Sequence, residues 1–247
     1  MGREVTADTR SNLYFKGCII CDIIRGMNYR EKADRLFSWA LEKPRASESW
    51  QRHSKDIARV CAEVAKKAGM DSDLAYAKGL LHDFYKAIER DTEVKVGINR
   101  KMVERMTHPF RGYELLMEKD FPEAARTALT HTFYNVEEVY NGGFDKRLLP
   151  EDKKFLLDFL SKNEYDDYDK LVQLADNMVS WKGVMTIDDR FCDILLRHPV
   201  SNPQSGLTKL YELKDYFDEK IKGNVYELFR DEICEVAIME PTRKEIL

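Results

Sequence analysis

The sequence predicts an all-α protein, and three observations support that prediction. Apolar residues recur at spacings of three and four along most of the chain, as expected for helices that bury one face. The chain has only 12 Gly and 7 Pro, which is too few for a sandwich or barrel with many tight turns. Hydrophobic residues make up 43% of the 247 positions, enough to bury a core and to exclude wholesale disorder.

The predicted helices share this spacing and are bounded by residues that start or stop helices. In chain order they lie at about 28–43, 57–68, 72–85, 107–120, 122–131, 151–161, 167–181, 187–197, 205–221 and 224–232. Gly69 marks the end of the second helix. Pro109 and Pro122 are each predicted to stand in a first helical turn, where a missing N–H costs little. The run Asn-Gly-Gly at 141–143 predicts a loop.

Three helical parts are predicted along the chain. An N-terminal extension with one helix covers 1–49, a main domain covers 50–182, and a C-terminal helical annex covers 183–247. The annex is interpreted as a lid or as a dimer surface, so a homodimer is one of the expected assemblies. The acidic run with Glu164, Asp166, Asp167 and Asp169 is interpreted as a solvated loop and helix start, where carboxylates favour the helix dipole.

The charge balance excludes some classes of partner. There are 40 Lys and Arg residues against 44 Asp and Glu, a formal net charge of −4. This argues against a protein organised around coating nucleic acid or an anionic membrane. No apolar stretch approaches the roughly 18–20 residues that span a bilayer, and the N-terminus lacks the apolar core of a signal peptide.

The cysteines favour a reducing compartment. Their odd number and wide spacing do not fit a disulfide framework, so a soluble cytoplasmic protein is expected. They are Cys18, Cys21, Cys61, Cys192 and Cys234. Cys18 and Cys21 have metal-ligand spacing, but no second pair follows and no structural zinc site is predicted. His198, before a proline, is interpreted as a loop residue with no metal role.

Six residues of types that commonly bind metals lie at or near the apolar faces of five predicted helices. They are His53, His82, Asp83, His108, His131 and Asp176. One histidine on such a face is usually a core residue with a satisfied hydrogen bond. Four histidines with two aspartates favour a metal site instead, because an unpaired buried carboxylate is costly. Imidazole and carboxylate together suit Mn, Fe, Zn or Ni.

The order and context of these residues resemble the HD superfamily of metal-dependent phosphohydrolases. The matching segments are RHSKDIARV, AKGLLHDFYK and YDKLVQLADNM. Two more histidines, in THPFRGYELL and ALTHTF, resemble the six-ligand branch of that superfamily, which includes the HD-type symmetrical diadenosine-tetraphosphate hydrolases. The resemblance covers about 50–182 and implies an orthogonal helical bundle around a buried centre with two divalent metals.

The resemblance also implies a role for each ligand. His53, His82, Asp83 and Asp176 would hold one metal, and His108 and His131 the second, with Asp83 as bridge and catalytic residue. Fe or Mn is expected first, with Mg, Ni, Zn and Co as alternatives. Two cations roughly 3.5–4 Å apart can share a hydroxide and clamp both oxygens of a phosphoryl transfer. The expected reaction is hydrolysis of a phosphate ester or anhydride of a nucleotide or other small phosphorylated molecule.

Two cations lie one helical turn from predicted ligands. Lys86 follows His82 by four residues, and Arg111 follows His108 by three. Both are candidates for binding phosphate, with Lys86 also a candidate catalytic residue; the alternative is that they are ordinary surface cations. Neighbouring aromatic residues could stack on a base, but core packing is favoured. They are Phe84, Tyr85, Phe110, Tyr113, Phe133 and Tyr134.

Two other functions stay open from the sequence. Some HD-type proteins with the same six ligands are mixed-valent di-iron oxygenases. A non-catalytic sensor domain would retain the ligands for folding alone.

Overall fold

The computed structural model describes residues 26–88, 100–142, 148–197 and 202–239. Cys18, Cys21 and His198 lie outside the described residues. The α-helices are α1 Tyr29–Leu41, α2 Glu48–Lys67, α3 Ser72–Leu81, α4 Arg100–Glu118, α5 Pro122–Thr130, α6 Val136–Tyr140, α7 Pro150–Lys162, α8 Asp167–Asp176, α9 Ile187–Arg197, α10 Pro203–Ile221 and α11 Arg230–Met239. Short 3₁₀ helices cover Phe84–Ala87 and Val225–Phe229, and two strands, β1 and β2, cover Val179–Ser180 and Gly183–Val184. The prediction of an all-α fold is confirmed.

The prediction for Pro109 is wrong. The helix α4 begins at Arg100, so this proline lies inside it and not in its first turn. A proline in a helix interior removes one backbone hydrogen bond and crowds the preceding turn. Here the segment before it stays helical. Pro122 does open α5 as predicted.

The predicted helix at 167–181 ends early. The helix α8 stops at Asp176, and the chain turns into an antiparallel hairpin in which Val179 faces Val184 and Ser180 faces Gly183. Gly183 has φ 133°, a backbone conformation that residues with a Cβ rarely adopt. Glycine at this position therefore permits the two-residue turn. The ligand candidate Asp176 therefore lies at a helix end. Further along, the predicted helix at 224–232 is a 3₁₀ turn followed by α11, and α6 was not predicted.

One apolar core joins the bundle to the C-terminal helices. Ile57 and Val64 of α2 share it with Leu171 of α8 and with Leu210 and Phe217 of α10, all of them buried. A second core packs α1 against α3, α4 and α5, and a third packs α4 and α5 against α7. A partly buried ion pair between Arg59 and Glu232 also links α2 to α11. The boundaries of the three predicted parts stay a prediction.

The acidic run before α8 is only partly a solvated helix start. Asp166 caps α8 by accepting the backbone N–H of Asp169, as the helix-start interpretation requires. Asp169 itself is fully buried, so describing it as solvated is wrong. Its carboxylate accepts a hydrogen bond from Arg126 at 2.7 Å, which supplies the compensating charge that a buried carboxylate needs.

None of the helices that the structure describes is both long enough and apolar enough to cross a bilayer.

Candidate metal centre

Five helices bring the six predicted ligands to one place in the bundle. His53 lies in α2 and His108 in α4, whereas the other four lie at helix ends: His82 and Asp83 directly after α3, His131 directly after α5, and Asp176 as the last residue of α8. At a helix end the backbone no longer follows the regular helix, in which successive side chains are rotated by about 100°. Neighbours in sequence, such as His82 and Asp83, can therefore point at the same place.

The carboxylate of Asp83 lies between two groups of imidazoles. Its Oδ1 is 3.2 Å from Nε2 of His108 and 3.3 Å from Nε2 of His131. Its Oδ2 is 3.4 Å from Nε2 of His82 and 4.0 Å from Nε2 of His53. Each oxygen therefore faces a different pair of histidines, the arrangement that a bridging carboxylate needs.

Asp176 completes the first group. Its Oδ1 lies 3.2 Å from Nε2 of His53 and 3.9 Å from Nε2 of His82. The potential ligand atoms of His53, His82 and Asp83 all lie within 4.8 Å of one another, as do those of Asp83, His108 and His131. The geometry therefore offers two adjacent sites with Asp83 in common.

The backbone at the end of α3 places Asp83. This residue has φ −106° and ψ 23°, outside the helical region, and a 3₁₀ turn follows it. Its carbonyl oxygen accepts a buried hydrogen bond from the Trp50 indole at 3.1 Å. Trp50 therefore anchors the backbone of Asp83. Trp50 was not among the predicted site residues, although it lies three residues before His53.

Gly79 sets the distance between α2 and α3. A Cβ at this position would lie 3.0 Å from Cα of Ala58 and 3.1 Å from the carbonyl oxygen of Ile57. Only glycine fits without moving the α2 backbone. The close approach brings the end of α3 against the His53 face of α2.

Two histidines have their ring orientation fixed by backbone carbonyls. Nδ1 of His82 donates to the carbonyl oxygen of Gly79 at 2.7 Å, and Nδ1 of His131 donates to that of Ala128 at 2.9 Å. Because a carbonyl only accepts, Nδ1 carries the proton in both rings. In the neutral ring Nε2 then carries the lone pair, and in His131 this nitrogen accepts a hydrogen bond from the hydroxyl of Thr132 at 3.0 Å. This is the usual way in which proteins orient a metal-binding histidine.

The residues fit a divalent metal. Nε2 of His82 and Oδ1 of Asp83 are buried and have no hydrogen-bond partner among the described residues. The imidazoles of His108 and His131 approach Oδ1 without hydrogen-bond geometry. Buried acceptor atoms without donors are costly, and a cation between them would satisfy them. The neutral imidazoles and carboxylates also match the donors that Fe, Mn, Ni and Zn accept.

Burial and neighbouring charges shift the pKa values of His108, His53 and Asp83 toward the forms that bind metals. Burial, together with the charge of Lys86, lowers the pKa of His108 to about 3, and burial also lowers the pKa of His53. Burial alone would raise the pKa of Asp83, but the charges of Lys86 and His82 hold it well below its usual range. His82 behaves differently: burial opposes its charged form, yet the carboxylates of Asp83 and Asp176 raise its pKa.

The site opens toward solvent on the side of His53 and Asp176. Their side chains are 14% and 23% exposed, whereas His82, Asp83, His108 and His131 are buried. Lys86, with a side chain 40% exposed, lies in the 3₁₀ turn after α3, and its ammonium is 2.5 Å from Oδ2 of Asp83. The prediction that Lys86 faces the ligands is therefore consistent with its position.

Arg111 is the other candidate for binding phosphate. It is exposed on α4, and its guanidinium pairs with Glu114 on the same helix at 2.6 Å. The six aromatic residues near the candidate ligands are buried or partly buried, which agrees with the prediction of core packing. Phe84, Phe110 and Phe133 are buried in the cores, and Tyr85, Tyr113 and Tyr134 are partly buried.

The C-terminal annex contributes a contact to the site that was not predicted from the sequence. Arg190 of α9 donates from Nε to the carbonyl oxygen of Asp176 at 3.3 Å, and from Nη1 to Asp193 at 2.9 Å. Its side chain is 13% exposed. Arg190 therefore holds the backbone of a candidate ligand from outside the bundle. An arginine on an amphipathic helix gives no sequence signal for such a contact.

Comparison with known proteins identifies the family. The HD domain model matches residues 50–180, just over half of the chain, and this range contains all six candidate ligands. Neither a search of curated proteins nor a search of solved structures gave a match. The chain belongs to the HD domain family.

Proposed function

We propose that this protein is a metal-dependent phosphohydrolase with two divalent metals bound side by side. The observation that carries the proposal is the position of Asp83, whose two oxygens face different pairs of histidines. One carboxylate shared by two ligand groups is expected of a two-metal centre, and such centres serve phosphoryl transfer. Membership of the HD domain family supports the same class of activity.

The six side chains would hold the metals as two groups that share Asp83. The first group is His53, His82, Asp83 and Asp176, and the second is Asp83, His108 and His131. When bound, the metals supply the Lewis acidity that activates water and neutralises charge on a phosphoryl oxygen. We propose Fe or Mn as the first metals to test, with Mg, Ni, Zn and Co after them, because the donor set suits several cations.

The protein's own groups orient the ligands and exclude water from most of the site. The Nδ1 hydrogen bonds of His82 and His131 fix both rings, and the Trp50 indole fixes the backbone of Asp83. With four of the six ligands buried, the reacting phosphate would enter on the exposed side of His53 and Asp176.

Lys86 and Arg111 are the proposed phosphate-binding residues. The Lys86 ammonium is close to Asp83 and partly exposed, so it is placed to exchange that ion pair for an oxygen of an incoming phosphate. Arg111 would have to exchange its bond to Glu114 in the same way. A charge-assisted hydrogen bond to phosphate contributes about 1.5–3 kcal/mol. The substrate class that this chemistry fits is a small phosphorylated molecule, with nucleotides first among those to test.

A phosphate-release screen tests this function. Protein stripped of metal is reloaded with Mn²⁺ or Fe²⁺ under nitrogen and offered mononucleotides, dinucleoside polyphosphates and simple phosphate esters. We expect phosphate or nucleotide release from at least one substrate, at the same rate with and without O₂, because hydrolysis consumes no electrons.

A combination of two results would contradict the proposed function. If no substrate is cleaved with any of the six metals, while iron-loaded protein consumes O₂, the proposed function is wrong. The matched control is His108→Gln, which removes one ligand and keeps a polar side chain of similar size. Activity that is unchanged in this variant would come from a contaminant.

A further inference from the structure

The segment at 165–173 contacts the end of α5 on both sides of His131. Before His131, the hydroxyl of Thr130 donates to Oδ1 of Asp169 at 3.0 Å, and the amide of Gln173 donates to the carbonyl oxygen of Thr130, also at 3.0 Å. After His131, the hydroxyl of Tyr165 donates to the carbonyl oxygen of Phe133 at 2.7 Å. Three side chains from one segment thus bracket a candidate ligand.

Asp169 is the centre of this network. It is fully buried, and its Oδ2 accepts hydrogen bonds from Nε of Arg126 at 2.7 Å and from the backbone N–H of Asp166 at 3.1 Å. The Arg126 guanidinium also donates to the carbonyl oxygen of Glu164. Both carboxylate oxygens therefore have donors, which is what a buried charge requires. This carboxylate ties α5, through Thr130 and Arg126, to the start of α8.

The same segment reaches the other side of the centre. Asp166 lies 3.4 Å from the ammonium of Lys78, a buried lysine on α3 one turn before His82. At its far end the segment leads into Asp176, the last residue of α8. The elements that carry His82, His131 and Asp176 are thus joined by polar contacts outside the set of ligands. Apolar packing alone would leave the axial position of each helix less well defined.

We propose that Asp169, Thr130 and Gln173 are positioning residues for the second metal site, acting through His131. The second site has three candidate ligands on this chain, and His131 is the one that lies at a helix end between these contacts. Loss of the Thr130–Asp169 hydrogen bond would let His131 move relative to Asp83, while the Lys78–Asp166 ion pair and the Arg190 contact to Asp176 stay in place. This inference rests on the two-metal centre of the proposed function.

Thr130→Val tests the proposal with the smallest change of shape. The variant removes the hydroxyl that donates to Asp169 and keeps the volume of the side chain. We expect the second Mn²⁺ to bind at least tenfold more weakly and the first to bind as in the wild type, measured by metal titration of the stripped protein. The electron paramagnetic resonance spectrum should change from that of a coupled Mn²⁺ pair to that of a single ion.

Two further variants separate positioning from general stability. Thr130→Ser keeps the hydroxyl and should retain both metals, even though the lost methyl group lowers the melting temperature. Asp73→Asn breaks the ion pair of the same 2.7 Å length between Arg30 and Asp73, which joins α1 to α3, and should also retain both metals. Asp169→Asn is the stronger test and should lose the second metal.

Two results would overturn the inference. One is a folded Thr130→Val protein, judged by circular dichroism, that binds both metals with wild-type affinity. The other is a wild-type protein that binds fewer than two metals. Failure of the proposed hydrolytic activity alone looks different: the wild type would bind two metals and Thr130→Val one, but neither would release phosphate.

Discussion

The ammonium nitrogen of Lys86 lies 2.5 Å from Oδ2 of Asp83. This oxygen is the one that faces His53 and His82. The lysine therefore balances the charge of Asp83 while it remains partly exposed. It is not one of the six candidate ligands, so a contribution to catalysis can be separated from metal binding.

Replacing Lys86 with methionine should impair turnover without loss of metal. We expect kcat/KM for a phosphorylated substrate to fall about ten- to hundredfold, the effect of one charge-assisted phosphate contact. Metal content should not fall below the wild-type value, because Lys86 is not a candidate ligand and its ammonium competes with a metal ion for Asp83. Steady-state kinetics and elemental analysis check the two parts. Arg111→Met should have a smaller effect, and unchanged kinetics for Lys86→Met would remove Lys86 from the site.

Replacing Arg190 with alanine should weaken the first metal site. The variant removes the hydrogen bond to the carbonyl oxygen of Asp176 and leaves the bundle itself unchanged. A buried hydrogen bond contributes about 1 kcal/mol, so metal affinity at the Asp176 site should fall roughly fivefold or more. Metal titration measures this. The control is Arg59→Ala, which breaks a contact between α2 and the annex without touching a ligand. Equal effects of both variants would mean that Arg190 only attaches the annex.

The metal-free protein should lose stability as the pH falls below 6.5. The pKa of His108 is lowered by burial to about 3, so the unfolded chain binds a proton in this range and the folded chain does not. The contribution is fully present above pH 6.5 and is lost as the pH falls toward 3, by up to about 1.4 kcal/mol per pH unit.

Thermal unfolding in a chelator, between pH 7 and pH 4.5, measures this dependence. His108→Gln should show a shallower decrease, because glutamine does not titrate. The raised pKa of His82 acts in the opposite direction, but it is present in both proteins and cancels in the comparison. Identical pH dependence in the two proteins would contradict the prediction.

The cluster of six candidate ligands could be predicted from the sequence because helical period and residue chemistry are local properties. His131 continues the line of Ala124 and Ala128 at intervals of three and four residues, and the structure places it beside Asp83. Adjacent ligands at His82 and Asp83 required the helix to end there, and α3 does end at Leu81. The structure brings all six predicted ligands together.

The contacts that support the ligands were not predictable in the same way. Trp50 reaches a carbonyl 33 positions along the chain, and Thr130 reaches Asp169 across 39 positions. Such pairs are defined by helix packing and not by any local pattern. The predictions for Pro109 and for the segment after Asp176 failed for another reason. Rules for single helices do not include the tertiary packing around these segments.

Replacing Asp83 with alanine should remove both metals, whereas His108→Ala should mainly lose the second. Asp83 is the only described side chain shared by the two ligand groups, so its loss affects both sites at once. The control Asp34→Ala removes a carboxylate that accepts a hydrogen bond from Tyr76 on another face and should keep the wild-type metal content.

The most direct test of the account is the number of metals per chain in folded Asp83→Ala, measured by elemental analysis after loading with Mn²⁺ and removal of excess metal. We predict two metals per chain in the wild type and none in Asp83→Ala. Two metals per chain in the folded variant would contradict the role of Asp83 as the bridge between two metal sites.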